Sequence, residues 1–206
     1  MKRGLDQNTG SRKVQKLDPF ELIDYHNINQ LEEYIKHVDI NKLHRKKAFD
    51  YTLLSYACYN GNSEIVELLL KKDGINVNYD GPLCWASMFG HIKIVKLLLK
   101  RDDIDVNYHG PLQCASHNGY IEIVQLLLKQ GGIDINYLEP LTESCECGHI
   151  EIVQLLLKEK NIIIHKNIHV YSMLLKLERD DLLKIFTNQE INKYKQKWIT
   201  EFNKIK

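Results

Sequence analysis

The sequence predicts an all-α solenoid: a stack of about five to six helix–turn–helix units closed by a C-terminal capping helix. Three observations predict it. Four glycines, Gly61, Gly90, Gly119 and Gly148, fall 29 residues apart. Each opens nearly the same string: GNSEIVELLLK, GHIKIVKLLLK, GYIEIVQLLLK and GHIEIVQLLLK. A second repeated string precedes each glycine: TLLSYACYN, GPLCWASMF, GPLQCASHN and EPLTESCEC. Self-similarity at a fixed period of this size marks units that stack only on their neighbours.

In chain order, residues 1–17 carry five basic residues against one acid and are expected to be a disordered basic tail. Lys2–Arg3, Arg12–Lys13 and Lys16 loosely imitate a split nuclear-import signal. Residues 18–188 are the array. Its first part, 18–49, reads as a diverged unit: Asp18–Pro19 is a helix start, and VDIN at 38–41 matches IDVN at 104–107. The link from Asn41 to Leu53 is longer than later ones, which leaves room for one projecting hairpin. His44, Arg45, Lys46 and Lys47 lie on it, either as a solvated loop or as a docking patch for an acidic partner.

The regular units occupy 50–166. Pro82, Pro111 and Pro140 stand where a short first helix begins, since proline at the first helical position loses no needed donor. The glycine column then turns the chain, through a positive φ. In the second helix of one unit Lys93, Lys96 and Lys100 form one polar stripe and the rest is apolar, so that helix packs on most sides. The column Gly74, Asp103, Gly132, Asn161 is expected to stop that helix in the left-handed region. INVNY, IDVNY and IDINY lead out as short extended segments.

Two short helices, the GPL start, the GHIEIV turn and the IDVN exit resemble the ankyrin repeat, whose signature is TPLHxA over about 33 residues. The chain departs from that signature. The usual Thr survives as Thr52 and becomes Gly81, Gly110 and Glu139; the usual His becomes Ser55, Cys84, Gln113 and Thr142. Only three residues separate Asn78 from Pro82 and Asn107 from Pro111, so the family's hairpin fingers are cut to bare turns.

Residues 167–188 keep the two-helix rhythm without the glycine and read as a degenerate unit. Residues 189–206 place Ile191, Tyr194, Trp198, Phe202 and Ile205 on one helical face opposite a lysine-rich one. That amphipathic helix is expected to cap the stack; a membrane-surface or partner-docking helix is the alternative.

The resemblance implies that one face of the first helices lines a concave groove. Leu54/Leu83/Leu112/Leu141 and Ala57/Ala86/Ala115/Ser144 barely change between units. Beside them three columns vary freely: Tyr56/Trp85/Cys114/Glu143, Tyr59/Met88/His117/Glu146 and Asn60/Phe89/Asn118/Cys147. Tyr56, Tyr59, Asn60, Trp85, Met88, Phe89, Cys114, His117, Asn118, Glu143 and Glu146 are therefore the expected partner-binding residues. They grade from aromatic to acidic, and Tyr79, Tyr108 and Tyr137 are expected to rim them. Exposed aromatics make binding hot spots, while the competing role for Trp85 or Phe89 is packing between first helices.

The expected function is a non-catalytic scaffold or adaptor binding another protein, with a spacer element or an inhibitor of a cellular or host protein as alternatives. There is no phosphate-cradling glycine loop, no nucleophile elbow and no recurring carboxylate pair. Cys114 and His117, three apart on one helix, lack a third group to orient the His. Cys145, Cys147 and His149 fall short of a zinc set, since Cys145 belongs to a small buried column with Cys58. No cofactor and no metal are expected. A net charge of +1 gives no case for nucleic acid, and no stretch reaches the roughly 20 apolar residues of a membrane span. Five cysteines without framework spacing fit a reducing compartment. The expectation is a cytoplasmic monomer, with nuclear import open to the basic tail.

Overall fold

The computed structural model describes residues 18–46, 49–184, 187 and 189–196. The basic tail, Lys47, and Trp198, Phe202 and Ile205 of the last segment lie outside them.

Six helix pairs follow one another among the described residues. Each begins at a helix start that the sequence supplies. Asp18 caps α1 (Pro19–Asp24) by accepting from the Phe20 amide at 2.9 Å, and Asn27 caps α2 (Ile28–Tyr34). A hairpin follows, β1 (His44–Lys46) antiparallel to β2 (Phe49–Tyr51), with His44 opposite Tyr51. The long link thus does hold a finger, and among the described residues this two-stranded ribbon is the one departure from an all-α chain. Thr52 caps α3 (Leu53–Asn60) through the Ser55 amide at 3.0 Å, and α4 is Ser63–Leu70. Proline opens the first helices α5 (Pro82–Met88), α7 (Pro111–His117) and α9 (Pro140–Glu146). Their partners are α6 (Ile92–Leu98), α8 (Ile121–Leu128) and α10 (Ile150–Leu156). The last pair is α11 (Ile168–Lys176), capped by Asn167, and the single turn α12 (Asp180–Leu183).

The turn inside every pair uses a left-handed residue. Gly61, Gly90, Gly119 and Gly148 have φ between 74 and 79°. The diverged first unit puts His26 there (φ 57°) and the degenerate last unit puts Glu178 (φ 53°). The rhythm therefore survives where glycine is lost, at a strain of about 1–2 kcal/mol per side chain forced into that region.

The expected left-handed stop after the second helix is only half right. Gly74 and Gly132 are left-handed, whereas Asp103 and Asn161 are not. What unites that column is its carbonyl. The side-chain amide of Asn41 donates to Gly74 O, Asn78 to Asp103 O, Asn107 to Gly132 O and Asn136 to Asn161 O, at 2.8–2.9 Å. The same four side chains accept from the amides of Asn76, Asp105, Asp134 and Ile163 at 2.7–2.8 Å. Each asparagine so clamps its own exit turn to that of the next unit. These pairs satisfy backbone groups that a short turn leaves without partners.

First helices pack closely on their neighbours, α3 on α5, α5 on α7, α7 on α9 and α9 on α11, while second helices touch sparsely. The stack accordingly curves towards the row of first helices. The core runs the length of the stack between the rows, through Leu54, Leu83, Leu112 and Leu141 on one side and Ile65, Ile94, Ile123 and Ile152 on the other. Lys93, Lys96 and Lys100 stand exposed on the outer row, as their spacing predicts. At the far end residues 189–196 are helical; Ile191 and Tyr194 pack against the core, and the Tyr194 hydroxyl reaches Lys166 O at 2.6 Å. No helix among the described residues is long and apolar enough to cross a membrane.

Candidate functional site

The variable columns fall on the inner row, and the structure divides them in two. Tyr59, Trp85 and Phe89 meet in one patch: ring centroids are 4.7 Å apart for Tyr59–Phe89, 5.7 Å for Tyr59–Trp85 and 6.3 Å for Trp85–Phe89. Phe89 is 40% exposed, and Tyr59, Trp85, Met88 and Asn60 are half-buried. Tyr79, Tyr108 and Tyr137 are exposed at the shortened turns.

Tyr56 and Cys114 do not belong to an open binding face, contrary to expectation. Tyr56 is 6% exposed, packs on Phe20 at 4.4 Å between ring centroids and donates its hydroxyl to Asp24 at 2.7 Å. Here the first unit and the hairpin roll over it, which the regular repeat period could not reveal. Cys114 is 5% exposed because its sulfur turns towards Cys84 of the preceding helix, 3.0 Å away.

Sequence reasoning missed Tyr51, on β2. It is buried and lies within 5.4–5.9 Å, centroid to centroid, of Tyr56, Tyr59 and Trp85, so it forms the floor of the aromatic patch. Its signal was an aromatic on the surviving finger, readable only once the finger's fold over α3 and α5 is known. Two basic residues of the finger, Arg45 and Lys46, are not free either. Lys46 folds back to Asp24 at 3.0 Å, over the rings of Phe20 and Tyr56, and Arg45 pairs with Asp50 at 3.4 Å.

At the other end of the row the face is polar. His117 Nδ1 stands 2.8 Å from Glu143 and 3.5 Å from Cys147 Sγ. Glu146 is exposed and 4.0 Å from His169, and Asn118 is exposed with its amide donating to Cys114 O at 2.8 Å. His117 therefore does have an orienting carboxylate, which the sequence had not shown. Cys147, His117 and Glu143 do not line up as a nucleophile–base–orienter chain. Glu143 and Cys147 compete for the same ring nitrogen, whereas a nucleophile–base–orienter chain needs one partner on each. Burial, with the charges of Glu143 and Glu146, also holds the Cys147 thiol above its ordinary value, against thiolate formation. Among the described residues no group of three or more His, Cys, Asp or Glu side chains is arranged so that it could hold a metal ion, and Cys145 is buried, its thiol pushed up to about 12 by burial and then by Glu146.

The turn histidines have a structural use. His91 and His149 place Nε2 at 3.1 and 2.9 Å from the carbonyls of Tyr59 and His117, capping the end of the preceding unit's first helix. Tyr120 fills the same place over Gly90.

This architecture is matched by the sequence profile of the family described as ankyrin repeats (3 copies), over residues 22–110 and 102–168. The chain belongs to the ankyrin-repeat family. Among solved structures it is similar to the human ASB11 ankyrin repeat domain, at 21% identity and a TM-score of 0.60, over 78% of this chain and 83% of that one. No match is found among curated proteins. Ankyrin repeats are general protein–protein interaction modules, and at this identity the structural likeness speaks for the fold alone.

Proposed function

We propose that this ankyrin array is a non-catalytic scaffold or adaptor that binds another protein along its row of first helices. The carrying observation is that Phe89, with Met88, Tyr59 and Trp85 beside it, presents apolar aromatic surface on the face the repeats leave free to vary. Aromatic side chains that are only partly packed in the free protein gain most from being covered. Glu143 and Glu146 stand on the same row two units further on, and their charge supports a partner segment with an apolar anchor at one end and a basic residue at the other.

The test is comparative capture, with bound proteins identified by mass spectrometry. The variants are Phe89→Ala, Glu146→Lys and, on the outer row, Lys96→Ala. Proteins held by wild type and Lys96→Ala but lost by both inner-row variants support the reading. A partner held equally by all four chains places binding off this face.

A further inference from the structure

The first helices of the third and fourth units bring two thiols together. Cys84 on α5 and Cys114 on α7 have their sulfurs 3.0 Å apart, and both side chains are buried. They do not share a repeat column: Cys84 is in register with Gln113, and Cys114 with Trp85. Their meeting is a diagonal contact across neighbouring helices, one residue off the repeat register, as between Tyr59 and Phe89. The pair lies on the wall of an open cavity of about 330 Å³ that Asp80, Trp85, Met88 and His109 also line. A small solute can reach sulfurs that a protein surface cannot.

We propose that Cys84 and Cys114 form a dithiol that a hydroperoxide converts into an intramolecular disulfide, stapling the third unit to the fourth. The Cys114 sulfur attacks one peroxide oxygen; an S–O bond forms, the O–O bond breaks, and the departing oxygen takes up the thiol proton. The Cys84 sulfur then attacks the sulfenic sulfur of Cys114; the S–S bond forms, the S–O bond breaks, and the hydroxyl leaves as water with the Cys84 proton. Two electrons and two protons pass from the thiols to the hydroperoxide, which ends as water and the corresponding alcohol or a second water.

The two sulfurs share one hydrogen bond in which either can donate. With Cys84 donating, that bond lowers the Cys114 thiol and, with burial, raises Cys84, and Cys114 is the attacking sulfur. The remaining cysteines are poor competitors. Burial raises Cys58, Cys145 and Cys147, the last also through two neighbouring carboxylates. The bond would fix α5 against α7 beneath Trp85 and Met88, and so set the spacing of one stretch of the inner face.

The experiment treats the full chain, and a Cys147→Ser variant, with hydrogen peroxide. Remaining thiols are then alkylated under denaturing conditions and peptides mapped without reduction. The expected result in both chains is a Cys84–Cys114 linked peptide in monomeric protein, a mass lower by two hydrogens, and reversal by dithiothreitol. A Cys84→Ser variant, checked for an unchanged helical circular-dichroism signal, should stop with a single added oxygen on Cys114 that dimedone traps. Cys84 and Cys114 both alkylated, after peroxide treatment that fully oxidises free cysteine, would overturn the proposal. So would disulfides found only between chains.

Discussion

The imidazole of His149 lies against Gly119: a Cβ built on that glycine would stand 2.7 Å from Cε1 of the ring. The ring's Nε2 bonds to the carbonyl of His117 at 2.9 Å, so it cannot swing aside without losing that contact. Gly148 has nearly the same backbone, φ 76° against 79°, but its added Cβ would meet nothing within 4 Å. The two glycines separate backbone strain from crowding.

Gly148→Ala is therefore expected to cost about 1–2 kcal/mol, the left-handed strain alone. Gly119→Ala should cost more, and Gly119→Val more than about 2 kcal/mol, since a branched side chain also has to displace His149. On the outer row, Lys96→Ala removes an exposed pair with Glu122 and should stay within about 0.5 kcal/mol. Denaturant melts of the four variants check the order. Equal costs at Gly119 and Gly148 would mean the histidine contact carries no energy.

Where earlier units place Gly81 and Gly110 at the start of the first helix, the fifth has Glu139, preceded by Leu138, and both are left-handed at φ 55° and 60°. Glu139→Gly relieves about 1–2 kcal/mol of strain and loses about 0.5–1 kcal/mol through the freer unfolded chain. Its partner His165 is 3.8 Å away and exposed, so little is lost there. The variant should melt slightly higher than wild type; a lower melting temperature refutes the strain reading.

Much of this was legible in the sequence. The 29-residue period gave the helix pairs, the proline starts and the glycine turns, because each depends on a local backbone need that one residue type meets best. Tyr59, Trp85 and Phe89 could be assigned from register to the variable columns of the inner face. The asparagine clamps were present as a column of Asn41, Asn78, Asn107 and Asn136, but their partners sit in the next unit, and a single-unit reading could not see them. Tyr51, the burial of Tyr56 and the Cys84–Cys114 contact were illegible because each depends on how an irregular element or a diagonal pair packs, outside the period.

The hairpin supplies a pH test. Burial, then the nearby Lys42, lowers the proton affinity of His44, whose Nε2 is buried with no hydrogen-bond partner among the described residues. The unfolded chain then takes up this proton first. His44 contributes nothing unfavourable above its ordinary value of 6.5, and stability is lost as pH falls below it. His44→Phe removes the titration and keeps an aromatic ring beside Phe20, whose centroid lies 6.0 Å from the imidazole. Thermal melts between pH 8 and pH 5, a range bracketing a histidine's titration by roughly a unit or more each way, should show the variant gaining on wild type towards the acid end. Parallel curves would mean that His44 is solvated in the folded chain.

The aromatic patch is only partly free to serve a partner. From sequence, Trp85 and Phe89 were alike open to partner contact or to packing between first helices, and their surroundings differ. Trp85 packs against Tyr51 at 5.6 Å and Tyr59 at 5.7 Å between centroids and is half-buried, whereas Phe89 is 40% exposed and rests edge-on against Tyr59. Truncating a large, mostly packed aromatic forfeits contacts on several sides and costs about 2–4 kcal/mol, while an exposed one costs under about 1 kcal/mol. Trp85→Ala should thus lower the melting temperature clearly, and Phe89→Ala should leave the melting curve nearly unchanged. A combined Trp85→Ala, Phe89→Ala chain should be no less stable than the sum of the two single losses, since Trp85 keeps most of its contacts without Phe89. This makes Phe89→Ala the cleaner probe of binding: a loss of partner in that variant is a loss of contact and not of fold. If Phe89→Ala destabilises as much as Trp85→Ala, the whole patch is core, and Glu143, Glu146 and His117 become the better place to look for the partner.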